Sequence, residues 1–286
     1  MLIKTGDTRS IQPFLKKLYI PKHDSHKGQN GKVLIIGGSS LFHSASIWAA
    51  EIASYFVDMV HYSSTKENNE IFLSLKKKFH NGIVIAQKDL PDYVREDDAV
   101  LVGPGMMRGE GEEARFTRAL TKELIEKFPN TRFVFDAGAL QTMNKEWLGK
   151  LKQPAIITPQ AKEFEKLFSL SLQGKSQEEK MMIVKKIAQE YGIVILLKTT
   201  FDIVSDGGDI FVIEGGNTGL TKGGTGDILA GLAVSFYAKN DPVTAAVLAS
   251  FVLKRTAETL YLRQGNWYNI RTVIEEIPKT LFDLSK

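Results

Sequence analysis

The chain has 286 residues and no cysteine, which removes disulfides, thiolate nucleophiles and cysteine-rich zinc or iron sites from consideration. Its formal charge of +4 comes from lysines and arginines spread along the sequence, so it argues for no nucleic-acid partner and fits an anionic ligand or a plain solvated surface equally well. The first ten residues mix Lys4, Asp7 and Arg9 and lack the apolar core of a secretory signal, and no apolar run is long enough to cross a bilayer, so a cytoplasmic protein without a membrane partner is expected.

In chain order, Lys32-Val33-Leu34-Ile35-Ile36 reads as a buried strand that ends in the flexible stretch Gly37-Gly38-Ser39-Ser40, and residues 46–56 read as the helix that follows. The same order recurs. Residues 99–102 precede Gly103-Pro104-Gly105 and a charged helix over residues 110–127. Residues 132–135 precede Asp136-Ala137-Gly138, and residues 155–157 precede Thr158-Pro159. Strands this uniformly apolar belong in a mostly parallel sheet covered by helices on both faces, where ligands gather at the strands' carboxyl ends. Residues 193–197, 201–205 and 210–213 are shorter β-type runs separated by turns, which predicts a hairpin or meander near the sheet edge. From Asp227 a helix apolar nearly all round is expected to be buried, and a second follows over residues 242–262. With no long linker, repeat or low-complexity tract, residues 1–286 are read as one α/β domain.

The most informative stretch is residues 214–231, and within it Gly223-Gly224-Thr225-Gly226-Asp227. Glycines there let backbone N–H groups approach a phosphate closely, at the positive end of the buried helix. Asp227 in the first turn is a candidate base for a hydroxyl that meets a phosphoryl group, while a bare tight turn with an aspartate cap is the competing reading. The loop is neither a Walker A sequence nor a Gly-x-Gly-x-x-Gly fingerprint.

Residues 217–231 resemble the Asn-Pro-Gly-Met-Ala-Thr-Gly-Gly-Thr-Gly-Asp-Val-Leu-Ala-Gly signature of the ADP/ATP-dependent NAD(P)H-hydrate dehydratases, members of the ribokinase-like superfamily. Further segments match in order: His26-Lys27-Gly28, residues 33–39, Gly103-Pro104-Gly105, Asp136-Ala137-Gly138-Ala139-Leu140, Thr158-Pro159 with Glu163-Phe164, Leu197-Lys198, and Asp206-Gly207. The resemblance implies a ribokinase-like three-layer sandwich that dehydrates hydrated NADH or NADPH (the S epimer) with ADP or ATP as phosphoryl donor, accompanied by Mg2+. It assigns Asp227 as catalytic base, Gly223, Gly224, Thr225 and Gly226 to phosphate and developing negative charge, and Lys198, Thr199, Thr200, Phe201, Asp202 and Gly226 to the adenine nucleotide. Ala45, Gly105, Gln160 and Asp227 fall where the family contacts the hydrated dinucleotide. It also implies a partner activity, an NAD(P)H-hydrate epimerase, and leaves a homo-oligomer open.

The chain departs from the family pattern at several places. Gln160 stands where the family has histidine, and glutamine hydrogen-bonds without titrating. Thr199 replaces a glycine, Thr218 a proline and Gly138 an acidic residue, and Ser44-Ala45-Ser46 stands for Gly-Ala-Pro.

Outside the glycine loop, Asp136 reads either as a magnesium or nucleotide ligand or as a helix cap, and Lys198 either as a phosphate partner or as a lysine reaching outward at the sheet rim. His23, His26, His43, His61 and His80 have no accompanying ligand set, so no metal site is assigned to them, and Lys76-Lys77-Lys78 reads as a solvated face. Two alternatives stay open at this level: a ribokinase-like small-molecule kinase for a vitamin or sugar alcohol, and a nucleotide-binding protein without catalysis.

Overall fold

A computed structural model of the protein describes residues 1–76 and 81–286, so His80 and two of the three lysines in the 76–78 run lie outside the described residues. The chain opens with β1 (Leu2–Lys4) and α1 (Gln12–Leu15), then β2 (Lys32–Ile36), α2 (Ser44–Ala53), β3 (Met59–Ser63), α3 (Lys66–Leu75) and β4 (Ile83–Val84). It continues through α4 (Leu90–Glu96), β5 (Ala99–Val102), α5 (Glu112–Lys127), β6 (Phe133–Phe135), α6 (Ala137–Thr142), β7 (Ile156–Ile157), α7 (Ala161–Phe168) and α8 (Gln177–Tyr191). The last third holds β8 (Val194–Leu197), β9 (Asp202–Ser205), β10 (Ile210–Glu214), α9 (Thr225–Tyr237), α10 (Pro242–Gln264) and α11 (Ile270–Leu284).

Among the described residues the strands form one sheet in the order β1-β10-β9-β8-β7-β6-β5-β2-β3-β4. From β8 to β4 every pairing is parallel, and β9 alone runs against its neighbours. This is the open, mostly parallel sheet that the apolar strand runs predict, with the expected meander at β8, β9 and β10. Alternation along a strand feeds two cores. On β2, Val33 and Ile35 pack with Ala49 and Ile52 of α2, Leu229 of α9 and Phe251 of α10. Leu34 and Ile36 point the other way, towards Leu124 of α5, Leu140 of α6, Phe164 of α7 and Val184 of α8. Both faces of the central strands are therefore dry, which is why their residues read as continuous hydrophobic runs.

Three strands escape that reading, among them the two-residue edge strand β4, whose Ile83 is exposed. β1 is three residues long and exists by pairing in parallel with β10, Ile3 opposite Ile213, while the N-terminal amine donates to the Ile210 carbonyl at 2.7 Å. β3 carries His61 and Ser63 among its apolar residues, and buried His61 is satisfied by the Asp97 carboxylate at 2.8 Å. The helix after residue 225 is apolar on all sides because it is the middle of a layer: it packs on α2, on α10 and on the sheet at β5 and β6, and all of residues 228–237 are buried.

Candidate active site

Adjacent parallel strands deliver adjacent residues to one rim. Asp136 follows β6, Thr158 follows β7 and Lys198 follows β8, and these three strands are neighbours in the sheet. The Asp136 carboxylate accepts hydrogen bonds from Thr158 Oγ1 at 2.8 Å and from Lys198 Nζ at 2.7 Å. Asp136 sits at the N-cap position of α6 but makes no side-chain cap bond, so capping does not explain its presence. Nor does Lys198 reach outward: its side chain is 15% exposed and folded onto the Asp136 carboxylate, itself 2% exposed.

The second half of the site is the start of α9. Gly224 is its N-cap with φ +100°, a left-handed conformation that glycine adopts without strain. A glycine brings no side chain to cap the helix; the Thr225 N–H is taken by the Lys222 carbonyl at 3.3 Å and the Asp227 N–H by its own carboxylate, which leaves the Gly226 N–H for an outside acceptor at the positive end of the helix dipole. The preceding loop is tied down: Asn217 accepts from Gly219 N–H at 2.9 Å and from Tyr268 OH at 2.6 Å, and Lys222 Nζ donates to the Asn266 carbonyl at 2.7 Å. At Gly226 a Cβ would lie 3.4 Å from Lys198 Nζ. Helix start and ammonium thus face each other across a space that a side chain at 226 would enter at ordinary contact distance.

Asp227, partly buried in the first turn, lies in the field of this cluster. Burial pushes its carboxyl up to about 7, the charge of Asp136 adds to the rise, and Lys198 opposes it. Lys198 moves the opposite way from an isolated buried amine: desolvation favours the neutral form, but Asp136 first and Glu163 next hold the proton, and its pKa is raised. A carboxylate with a pKa near neutrality beside a permanently charged lysine can give and take a proton at physiological pH.

The other residues expected at the site fall around this centre. Gln160 is exposed at the N-cap of α7, forms an isolated parallel bridge with Lys198, and gives its N–H to the Glu163 carboxylate at 2.8 Å. Thr199, Thr200 and Phe201 form the turn after β8, with Thr200 exposed and Phe201 37% exposed. Asp202 lies in the same segment but its carboxylate turns inward, to Thr199 N–H at 3.0 Å, Ser250 Oγ at 2.7 Å and the buried Lys254 ammonium at 3.6 Å, so it shapes the turn rather than facing out of it. Ala45 and Gly105 are neighbours, a Cβ on Gly105 falling 3.0 Å from that of Ala45. Gly223 is exposed with open space around it, and Thr225 Oγ1 is held by the Lys222 carbonyl at 2.9 Å.

Three residues of the cluster carried no assignment from sequence. Thr158 orients Asp136, Glu163 contributes charge to both Asp227 and Lys198, and Gln141 Nε2 donates to Glu163 at 2.7 Å. Thr158 and Glu163 stood within matching motif segments, which was the signal available for them. Gln141 had none, because only the packing of α6 on α7 places it there.

The rim suits a nucleotide: a helix start with no side-chain cap, glycines before it and a lysine with little exposure are the features that accept phosphate. Among the described residues no group of three or more acidic or histidine side chains forms a ready metal cage. Gly226→Ala tests the gap directly. A methyl at this helical position adds up to about 1 kcal/mol of helix propensity, so the variant is expected to fold at least as well as the wild type. The backbone N–H is kept and the methyl occupies the space in front of Lys198, so turnover is expected to fall about tenfold, equivalent to about 1.4 kcal/mol of transition-state stabilisation; melting curves and steady-state kinetics on the same preparation measure both, and unchanged turnover would detach Gly226 from the site.

The comparisons with known proteins converge on one family. A family model described as NAD(P)H-hydrate dehydratase matches residues 33–279. A protein of Nitrosopumilus maritimus named ADP-dependent (S)-NAD(P)H-hydrate dehydratase is 32% identical, over 97% of this chain and 98% of its own. A bifunctional NAD(P)H-hydrate repair enzyme of Methanocaldococcus jannaschii is also 32% identical, over 93% of this chain but 51% of its own, so the chain spans about half the length of that relative. In structure, the Bacillus subtilis ADP/ATP-dependent NAD(P)H-hydrate dehydratase co-crystallised with ATP and Mg2+ superposes with a TM-score of 0.77 at 20% identity, covering 96% of each chain. A ribokinase-like superfamily protein of Enterococcus faecalis superposes with a TM-score of 0.82 at 19% identity, covering 99% of this chain and 96% of its own, which gives the fold as ribokinase-like. With the family model matching over most of its length and full-length relatives at 30% identity or more, the chain belongs to the NAD(P)H-hydrate dehydratase family.

Proposed function

We propose that this chain is a lyase that returns hydrated NADH or NADPH, in the S form, to NADH or NADPH with consumption of ADP or ATP and release of phosphate. The observation that carries the reading is the near-neutral Asp227 in the first turn of an uncapped helix facing the Lys198 ammonium. The nucleotide, with magnesium on its phosphates, supplies the phosphoryl group that turns the hydrate's hydroxyl into a leaving group. Asp227, ionised, takes the proton of that hydroxyl, and the hydroxyl oxygen becomes the phosphate-bearing one. The α9 N–H groups hold the negative charge that develops, and Lys198, fixed by Asp136 and Thr158, holds it from the other side. Loss of the phosphate with the C–O bonding pair, and of a proton from the neighbouring ring carbon, restores the double bond of the dihydronicotinamide. Gln160, Ala45 and Gly105 position the hydrated ring, and the 198–202 turn positions the adenine nucleotide. A vitamin or sugar kinase and a non-catalytic nucleotide binder are not favoured by the family match.

The chain acts as a single domain, in the cytoplasm, where pyridine and adenine nucleotides are supplied. Its substrate is one of two interconverting epimers, so an epimerase is its functional partner. The bifunctional naming of relatives twice as long supports that coupling. Self-association into a symmetric homo-oligomer completes the proposal.

The deciding experiment mixes the protein with hydrated NADH, Mg2+ and either ADP or ATP and follows the return of dihydronicotinamide absorbance. Nucleotide-dependent recovery establishes the reaction and names the donor; a protein that binds nucleotide without recovery overturns it. The pH profile is a second expected result. Asp227 must be ionised to act as base, so kcat/KM for the hydrate is expected to rise as pH rises through about 7 and then level. A profile that stays flat from acid through neutral to alkaline pH would remove Asp227 as the titrating base.

A further inference from the structure

Beside the reaction centre, between the first turns of α5 and the C-terminal ends of α6 and α7, lies a groove of about 630 Å³. That is within the size range of small-molecule sites. Arg115, Arg118, Lys145 and Lys166 line it, against one lining carboxylate, Glu110. Among the described residues none of these four cations is in an ion pair. Arg118 donates to the Thr142 carbonyl at 3.1 Å and lies over the Trp147 ring, while Lys145 meets the Tyr191 hydroxyl. Four positive charges facing one negative charge, in a concave wall and without internal neutralisation, make a focused attraction for a polyanion.

The groove is tied to the site by a chain of hydrogen bonds that begins at one of its lining residues. Gln141 lines it and donates to Glu163 at 2.7 Å, and Glu163 in turn holds the N–H of Gln160 at 2.8 Å. It also lies on the α5 to α7 side of the Asp136–Lys198 pair, whereas the 198–202 turn opens from the β8 to β9 side. A hydrated dinucleotide presents only its nicotinamide ring to Asp227. Its pyrophosphate, and in the NADPH form a further 2′-phosphate, must lie some distance from the reacting carbon.

Resting on the dehydratase reading, we propose that the groove binds these phosphates of the dinucleotide substrate and contributes its affinity without taking part in the chemistry. The test is the double variant Arg115→Glu/Lys166→Glu, both positions lying outside the reaction centre. Binding of NADPH and NADH, read by their own fluorescence, is measured at low and high salt, together with binding of ADP. The expected result is dissociation constants about tenfold or more higher for the dinucleotide at low salt, a difference that shrinks as salt screens the groove, with ADP binding unchanged. A loss confined to NADPH assigns the groove to the 2′-phosphate; an equal loss for both assigns it to the pyrophosphate. Unchanged dinucleotide binding in a variant with wild-type melting behaviour overturns the proposal, as does a wild-type protein that binds neither dinucleotide. If charge reversal prevents folding, Arg115→Gln/Lys166→Gln decides by the same readings, with a smaller loss expected. Failure of the dehydratase reading is seen separately, as wild-type protein that binds dinucleotide but does not turn over its hydrate.

Discussion

Replacing Asp227 with asparagine is expected to abolish turnover and, at the same time, to stabilise the protein above neutral pH. The catalytic loss follows from removing the base, an effect of about 10²–10⁴-fold for general-base catalysis. The stabilisation follows from the carboxyl's position. Its pKa is about 7 in the folded chain because burial and the neighbouring Asp136 both penalise the charged form. In an unfolded chain it titrates at an ordinary value of about 3.9. The folded state therefore binds this proton more tightly, and the wild type loses stability as pH rises from about 4 to about 7, with the full penalty present above that window. A rise of about three units corresponds at most to about 4 kcal/mol, and partial exposure of the group reduces the expected gain to roughly 1–2 kcal/mol. The asparagine amide cannot ionise, so variant and wild type are expected to unfold alike near the ordinary aspartate pKa of about 4 and to diverge about one unit above neutrality. Urea titrations at the two pH values, with turnover measured alongside, check both halves. A variant that turns over normally, or one less stable than wild type above neutrality, would contradict the role given to this carboxyl. Together the two outcomes would show a site that trades folding stability for a poised base.

How far the site could be read from sequence depends on what each residue's neighbours are. The βα units were legible because β2, β5, β6 and β8 are buried on both faces and so read as unbroken apolar runs. The glycine-lined start of α9 was legible because helix, loop and aspartate are contiguous in the chain. The conjunction of Asp136 with Lys198 was only half legible. Each stood at the end of a recognisable strand, but their meeting depends on β6, β7 and β8 being adjacent, a fact of sheet order. Asp202 shows the limit more sharply. Its place in the 198–202 segment suggested a ligand contact, yet Ser250 and Lys254, far along the chain on α10, turn its carboxylate into the protein. β1 was invisible for the same reason: its residues gain strand structure from β10, at the other end of the sequence. Local pattern reports burial and backbone geometry, and it is silent on partners supplied by a distant part of the chain.

The buried Asp136–Lys198 pair offers the remaining large effect, because its two members act on Asp227 in opposite directions. Asp136→Asn removes a negative neighbour, so the Asp227 pKa is expected to fall, and the rising limb of the kcat/KM profile to move to lower pH. Lys198→Met removes the positive neighbour and is expected to move the same limb to higher pH, with weaker nucleotide binding in addition. Each single change also removes the nearest opposite charge from a group with little access to water, leaving Lys198 with only the weaker fields of Glu163 and Asp227 in one case and Asp136 with the Thr158 hydroxyl in the other. Breaking a buried pair in this way costs about 3–5 kcal/mol, a large share of the roughly 5–15 kcal/mol that holds a domain folded. The double variant Asp136→Asn/Lys198→Met strands neither charge and is expected to be more stable than either single variant, which is the reverse of additive behaviour. Guanidinium unfolding of the wild type and the three variants measures the coupling, and the pH–rate profiles measure the field at Asp227. If both single variants moved the limb in the same direction, the charge of the pair could not be what sets the base. A generic loss of packing would then explain them better. Opposite shifts combined with a rescued double variant would instead tie the stability of the rim and the proton affinity of Asp227 to one ion pair. That pair is held in place by a hydroxyl from Thr158 and faces the start of α9 across the gap at Gly226.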